Sequence, residues 1–320
     1  MQKSGLPRIG ITMGDPAGIG PEIVVKALAG ASLNEVCRPL IIGDSALLQK
    51  TADGLGLPLT DIEIHDLKNV MTDVGTGIES ADTGRASAQY IETAVELWQN
   101  GEIDAVATAP ISKKALSLAG YSFPGHTEFL AELTNTRQFA MSFFAEKLRV
   151  VLLSTHISLR DAINLVKKES LEKLIKFSNA TISQLLKKDI KIAVAGLNPH
   201  ASEGGMFGSE EADEIIPAIR ECQVIGINVD GPFSPDTIFL RGFRGEFDAV
   251  ISCYHDQATI AVKSLSFGSS VNVTLGLPLI RTSVDHGTAF DIAGKGIAEE
   301  SSMRAAIRLA AELVQSSNSQ

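Results

Sequence analysis

Residues 8–23, RIGITMGDPAGIGPEI, read in order as a β-strand, a glycine-rich turn and the start of a helix. Apolar and β-branched residues dominate 8–13, and Pro21 suits a first helical turn, where a missing N–H costs nothing. The same alternation continues outward. Residues 38–43 form a second strand. Residues 82–100 form a long amphipathic helix, with Ala88, Ile91, Val95 and Trp98 at spacings of three and four, ended by Gly101. Short apolar runs at 105–108, 139–144, 150–153, 190–195 and 249–253 have the length and composition of strands. Helical patterns fall at 170–186, 210–222 and 301–315, and 316–320 reads as a frayed end. Strands alternating with helices predict an α/β protein with a largely parallel sheet.

The chain has 320 residues, enough for roughly two domains of about 150 residues or one large α/β domain. No internal repeat is visible, and no Pro/Ser/Gly-rich linker divides the chain, so two domains would share crossing segments. A hydrophobic fraction of 44% supports a buried core and excludes disorder as the main description. Lys and Arg total 28 against 38 Asp and Glu, a net charge of −10, which argues against a broad nucleic-acid or anionic-membrane surface. Cys37, Cys222 and Cys253 are far apart and form no disulfide or zinc pattern. Neither a secretory leader nor a membrane-length apolar run is readable, so the expectation is a soluble cytoplasmic protein.

The turn at 14–22, GDPAGIGPE, sits where a nucleotide loop would sit. It nevertheless fails GxGxxG, because Ile23 stands where the third glycine belongs, and it lacks the Lys-Ser/Thr ending of a P-loop. An ordinary Rossmann site is thereby disfavoured, and a tight turn needing positive φ is an equal reading.

Histidines carry more information. His156, His200 and His255 each follow a predicted strand, and ligands in open parallel sheets bind outside the carboxyl ends of strands. Three neutral imidazoles suit a divalent transition metal, while each one singly is better explained as a locally bonded strand-end group. The segment 198–205, NPHASEGG, offers backbone donors to an anion or is a plain surface loop. Asp256, beside His255, is a hydrogen-bond partner that orients that ring, a base, or the cap of the next helix. His126 and Thr127 open a helix whose N-terminal amides can receive a phosphate, with Thr127 as a simple cap the alternative. Lys263, Asn272 and Arg281 add cationic and amide groups, although each singly is more often a surface residue.

Taken together, these segments resemble the 4-hydroxythreonine-4-phosphate dehydrogenase family along essentially the whole chain. The matching stretches are MGDPAGIGPEI at 13–23, TAPISK at 108–113, GHTEFLAE at 125–132, STHISLRD at 154–161 and LNPHASEGG at 197–205. They continue with GPFSPDT at 231–237, YHDQ at 254–257 and VNVTLGLPLIRTSVDHGTAFDIAGKG at 271–296. The last segment also resembles the adenosine-binding loop of isocitrate and isopropylmalate dehydrogenases.

The resemblance implies a three-layer αβα fold of the isocitrate/isopropylmalate dehydrogenase kind, with two subdomains flanking a cleft. A terminal subdomain would comprise 1–105 and 275–320, and a middle one 106–274. It implies His156, His200 and His255 as ligands of one divalent metal (zinc, magnesium or cobalt), the third coming from the partner subunit of a homodimer. His126, Thr127, Lys263, Asn272 and Arg281 would contact the substrate; Asp256, on the residues alone, is the choice for a base or for a partner that orients His255. His286, Gly287, Thr288, Ala289 and Asp291 would form the NAD or NADP loop.

The implied reaction is oxidation of 4-hydroxy-L-threonine 4-phosphate at its 3-hydroxyl and decarboxylation to 3-amino-2-oxopropyl phosphate, toward pyridoxal phosphate. Ser202 departs from a glycine common at that position. The PHASE form resembles a sister branch acting on 4-phospho-D-threonate or 4-phospho-D-erythronate in sugar-acid breakdown. A metal-dependent phosphohydrolase and a non-catalytic phosphometabolite binder are the readings from other classes, and DHGTAFDIAGKG speaks against both.

Overall fold

The computed structural model describes residues 5–59, 62–70, 74–266 and 268–318. The chain forms two compact units, one of Met1–Phe139 with Leu277–Gln320, the other of Ala140–Gly276.

The first unit opens with strands β1 (Arg8–Thr12), β2 (Arg38–Gly43), β3 (Glu63–Asp66) and β4 (Ala105–Thr108). Its helices are α1 (Gly20–Leu28), α2 (Ser45–Leu55), α3 (Ala81–Gln99), α4 (Lys113–Leu118) and α5 (His126–Leu133). The second unit holds β5 (Ala140–Ala145), β6 (Leu148–Leu152), β7 (Ile192–Ala195), β8 (Val229–Phe233), β9 (Ala249–Ser252) and β10 (Val271–Leu275). Its helices are α6 (Leu159–Leu165), α7 (Lys168–Leu186), α8 (Ile216–Val224), α9 (Pro235–Phe243) and α10 (His255–Leu265). The chain then returns to the first unit as β11 (Ile280–Ser283) and α11 (Ser301–Asn318).

The first unit's strands run in the order β3-β2-β1-β4-β11, each neighbouring pair parallel. All four residues of β4 are buried, and alternate strand residues point to opposite faces, so helices must cover both. Helix α11 packs on β1, β4 and β11 and against α1, whereas α3 packs with α4 and α5. Helix α3 begins with a reciprocal capping box between Ser80 and Thr83. Residues 106–139, expected in the middle subdomain, pack with this unit. Strand β4 is hydrogen-bonded to β1 and β11, and Leu116, Phe129 and Leu130 share a core with Ala88, Ile91 and Val95 of α3.

In the second unit the order is β10-β5-β6-β9-β7-β8. Strands β6, β9, β7 and β8 are parallel, but β5 is antiparallel to both β10 and β6. The expected largely parallel sheet holds, with β5 as its antiparallel exception. Only Glu146 and Lys147 separate β5 from β6, too short for a crossover, and Glu146 takes the positive φ of 51° that the hairpin needs. The helix expected at 210–222 is divided: a π-turn at Glu211–Ile215 precedes α8, because Pro217 has no N–H with which to continue the ladder. Among the described residues no helix is long and apolar enough to cross a membrane.

Candidate active site

Strands β6, β9 and β7 are neighbours in that order and parallel, so their carboxyl ends lie along one edge of the second unit's sheet. His156 follows β6, His255 follows β9 and His200 follows β7. The rings of His156 and His255 lie 5.6 Å apart, tilted by 46°. Nδ1 of His255 is 2.7 Å from Oδ1 of Asp256. A carboxylate there holds the proton on Nδ1 and leaves Nε2 with a lone pair for a ligand. Asp256 stands in the first turn of α10, whose cap position is Tyr254, so it is not the helix cap.

His200 sits in an unusual backbone. Residues 200–203 have φ of 52°, 53°, 66° and 45°, all left-handed, in a run of non-glycine residues. Each costs roughly 1 kcal/mol or more, so the surroundings must impose the conformation. Two groups that sequence reasoning missed help to impose it. The buried Glu211 carboxylate accepts the Leu197 and Asn198 amides at 2.8 and 2.7 Å and Asn198 Nδ2 at 2.9 Å. Gln257 accepts from the Cys253 amide at 2.7 Å and donates to the Gly196 carbonyl at 2.8 Å, which ties the ends of β9 and β7 together. Ser202 is buried and its hydroxyl accepts from the Gly205 amide at 3.2 Å, so it builds the turn.

Among the described residues of this single chain, no group of three or more His, Cys, Asp or Glu side chains is gathered to hold a metal ion. The structure brings His156 and His255 together and leaves His200 on its own loop. Lys263 is exposed on α10, seven residues from Asp256 and hence on the same helix face. Asn272 is half-buried in β10, opposite Phe143 of β5.

The first unit holds a different kind of site. Arg281 of β11 is 3% exposed, and its Nη2 and Nε donate to Thr108 Oγ1 at 2.9 and 3.2 Å. Burial pushes the guanidinium down to about 9, with Glu128 opposing, which leaves it a cation at neutral pH. His126 and Thr127 are buried in the first turn of α5, whose cap, Gly125, offers no side chain; Thr127 is therefore not the cap. Burial, then the Arg281 cation, hold the His126 imidazole well below its ordinary pKa, so it is neutral at physiological pH. Its Nε2 is buried without a hydrogen-bond partner among the described residues. A desolvated guanidinium, an unsatisfied imidazole nitrogen and a helix N-terminus are groups of the kind that an anion can engage.

Residues 285–296 form an irregular loop in the same unit. Nδ1 of His286 is 3.1 Å from the Gly287 carbonyl, while Nε2 is buried without a partner among the described residues. Thr288 and Ala289 are half-buried, Ala289 at a φ of 41°, and Gly287 and Asp291 are exposed.

The turn at 14–22 contains a group the sequence reading passed over. Gly14 takes the positive φ, 75°, and a side chain there would collide with the Pro110 carbonyl. Asp15 beside it is fully buried; Oδ1 accepts the Ala17 amide at 2.9 Å, while Oδ2 has no partner among the described residues. Burial pushes its carboxyl up to about 6.

A family model described as pyridoxal phosphate biosynthetic protein PdxA matches residues 35–310. The chain belongs to the PdxA family. A D-threonate 4-phosphate dehydrogenase of Cupriavidus necator is 46% identical over 96% of this chain and 97% of its own. A 4-hydroxythreonine-4-phosphate dehydrogenase of Trichlorobacter lovleyi is 44% identical, again over 96% and 97%. The crystal structure of a 4-hydroxythreonine-4-phosphate dehydrogenase from Burkholderia phymatum superposes with a TM-score of 0.83, at 46% identity, over 97% of this chain and 99% of that one. The PdxA family therefore accounts for the α/β fold along nearly the full length, and its relatives divide between two substrates.

Proposed function

We propose that this PdxA-family chain is an NAD(P)- and divalent-metal-dependent dehydrogenase that oxidises D-threonate 4-phosphate at its 3-hydroxyl and releases the carboxyl group as carbon dioxide. The observation that carries the reading is Arg281, a guanidinium buried beside the neutral His126 with Thr127 in the same helix turn. Such a site suits a phosphate monoester, which accepts several charge-assisted hydrogen bonds.

His156, His200 and His255 fit a divalent metal by donor chemistry, since the His255–Asp256 pair fixes the ring tautomer that leaves Nε2 available. They would hold the ion in a homodimer whose subunits share the set. The unpartnered Nε2 of His286 fits a polar group of a dinucleotide, with Gly287, Thr288, Ala289 and Asp291 forming the rest of that loop. When bound, the metal supplies Lewis acidity to the 3-hydroxyl and the nicotinamide accepts a hydride.

The chain's own residues do the positioning. Arg281, His126 and Thr127, with Lys263 and Asn272, would anchor the anionic ends of the substrate and fix the reacting carbon. Asp256 orients the ring of His255 and so acts on the metal set rather than taking the substrate proton. In the overall reaction the C3 hydrogen leaves as hydride and the hydroxyl proton passes to solvent. The bond from C1 to C2 of the 3-oxo acid then breaks, carbon dioxide departs, and C2 gains a proton. The organic product from D-threonate 4-phosphate is dihydroxyacetone phosphate.

The sequence reading put 4-hydroxy-L-threonine 4-phosphate first. The order is reversed because Ser202 carries the sister-branch form and because of the likeness to the Cupriavidus necator enzyme. The amino acid remains the second reading, favoured by the likeness to the Trichlorobacter lovleyi enzyme. Purified protein would be given each substrate with NAD or NADP and zinc, magnesium or cobalt, and reduced nicotinamide followed by absorbance. Faster turnover of the D-configured acid is expected. Preference for the amino acid reverses the substrate assignment, and phosphate release without dinucleotide overturns the reaction class.

A further inference from the structure

We propose that the glycine-rich turn 14–20 and helix α1 clamp the segment 286–298, which makes Gly18, Glu22 and Lys26 positioning residues for dinucleotide binding. The inference rests on reading 286–291 as the cofactor loop.

The glycine spacing that fails the Rossmann fingerprint matches a different requirement, contact with another stretch of backbone. The Ile19 amide donates to the Thr288 carbonyl at 3.0 Å. A Cβ on Gly18 would lie 3.0 Å from that carbonyl oxygen and 3.1 Å from Thr288 Cβ, closer than side chains ordinarily pack. On its other side the turn accepts a hydrogen bond from Gly77 to the Ala17 carbonyl at 2.7 Å. A Cβ on Gly77 would in turn come within 2.9 Å of the Phe290 carbonyl. Turn 14–20, residue 77 and residues 288–290 therefore approach one another backbone to backbone.

Helix α1 holds the far end. The Glu22 carboxylate accepts the Gly296 amide at 3.2 Å and the Ala298 amide at 2.8 Å. Lys26 Nζ donates to the carbonyls of the same two residues at 2.9 and 2.7 Å and to Glu22 at 2.8 Å. Glu22 is 3% exposed, so this ion pair sits largely out of water with its hydrogen-bonding capacity spent on one strip of backbone. Residues 284–300 have no helix or strand ladder of their own, so such contacts set where the loop stands. A shift of a few tenths of an ångström at Thr288 passes directly to its neighbours, His286 through Asp291.

Gly18 is the informative position because its φ is not in the left-handed region. Alanine can adopt its backbone, and the added methyl acts only by pressing on Thr288. The experiment titrates NADH and NADPH fluorescence on full-length protein for Gly18→Ala, Glu22→Gln and a His286→Ala/Asp291→Ala double variant. Gly54→Ala, in α2 with no atom near its added methyl, is the control. Gly18→Ala is expected to raise the dinucleotide Kd by ~10-fold. The KM for D-threonate 4-phosphate should stay within about twofold, and Tm should match that of the control. Glu22→Gln should raise the dinucleotide Kd in the same direction, and it decides the matter should Gly18→Ala fail to fold. Wild-type dinucleotide affinity in Gly18→Ala and Glu22→Gln, with weakened affinity in the loop double variant, overturns the clamp and leaves the cofactor loop standing. Wild-type affinity in the loop double variant removes the cofactor loop, and the clamp with it.

Discussion

The two units hold their candidate site residues in opposite ways. In the first, Arg281, His126 and Thr127 are buried, and they come from β11 and α5, elements packed into the core. In the second, His156 and His200 are exposed on loops beyond β6 and β7, and only His156 and His255 lie side by side. An anion site gains strength from low dielectric, because a desolvated guanidinium attracts a phosphate more strongly than a hydrated one. Histidines that receive a metal from solution need access, which the loop positions of His156 and His200 give them. The first arrangement should therefore tie function to stability, whereas the second should separate them.

The sharpest break between the two is metal removal. Chelation, or His200→Ala, should lower turnover by on the order of 10³–10⁴-fold, the worth of several kcal/mol of Lewis-acid stabilisation. Tm should fall by no more than about 2 °C, because exposed substitutions shift stability little. Calorimetric phosphate binding should survive. Full activity in a metal-free His200→Ala protein would sink the metal role.

Arg281→Lys tests the buried half, with an effect next in size. A lysine keeps the charge and loses the planar fork, so kcat/KM should drop by about 10²–10³-fold. Stability should fall as well, by roughly 1–3 kcal/mol, because Thr108 Oγ1 loses its two donors in a buried site. Metal content, measured by atomic emission, should be unchanged. A variant with normal phosphate affinity removes Arg281 from the site.

Asp256→Asn is a smaller intervention in the exposed half. The amide oxygen can still accept from Nδ1 of His255 but without charge, so metal affinity should weaken by about 10–100-fold. Saturating metal should restore turnover. Turnover that stays low at saturating metal would instead make Asp256 the base.

The sequence made the chemistry of both halves legible and their burial only partly so. Residue type and strand-end position singled out His156, His200 and His255, of which the structure sets the rings of His156 and His255 side by side. Nothing in the residues around His126 says that its ring is enclosed, because enclosure comes from α5 packing on α3, two segments distant in the chain. Strand β3 was not recognised because EIHD is short and polar on alternate positions, and β8 because it contains Gly231-Pro232. Strands β10 and β11, each five residues or fewer, lie inside the stretch 271–296, where polar Asn272, Thr274 and Arg281 break the apolar runs that mark strands elsewhere. Glu211 looked like one more acidic residue in a helix start. Its role depends on a π-turn and a left-handed loop, neither of which leaves a periodic trace.

Asp15 extends the contrast to a group that no site reading used, and it carries the smallest expected effect. Glu211 in the second unit is as buried as Asp15, but its carboxylate accepts three N–H donors. Asp15 accepts one close amide, from Ala17, and the Thr83 hydroxyl and Ser112 amide only partly offset the cost of its burial. Burial raises its carboxyl from 3.8 to about 6, so the folded state binds this proton more tightly than the unfolded chain does. Between pH ~4 and ~6 the folded form then holds more protons than the unfolded one, and stability from this group declines as pH rises through that window. At neutral pH the charged form is a liability of ~2–3 kcal/mol. Asp15→Asn keeps the Oδ1 acceptor for Ala17 and cannot ionise, so it should be more stable than wild type at pH 8 and lose that advantage by about pH 4. Urea unfolding at a series of pH values measures the difference. A gap that stays flat across the series means that Asp15 is already solvated or partnered when charged, and the first unit is then less dry around its turn than its packing implies.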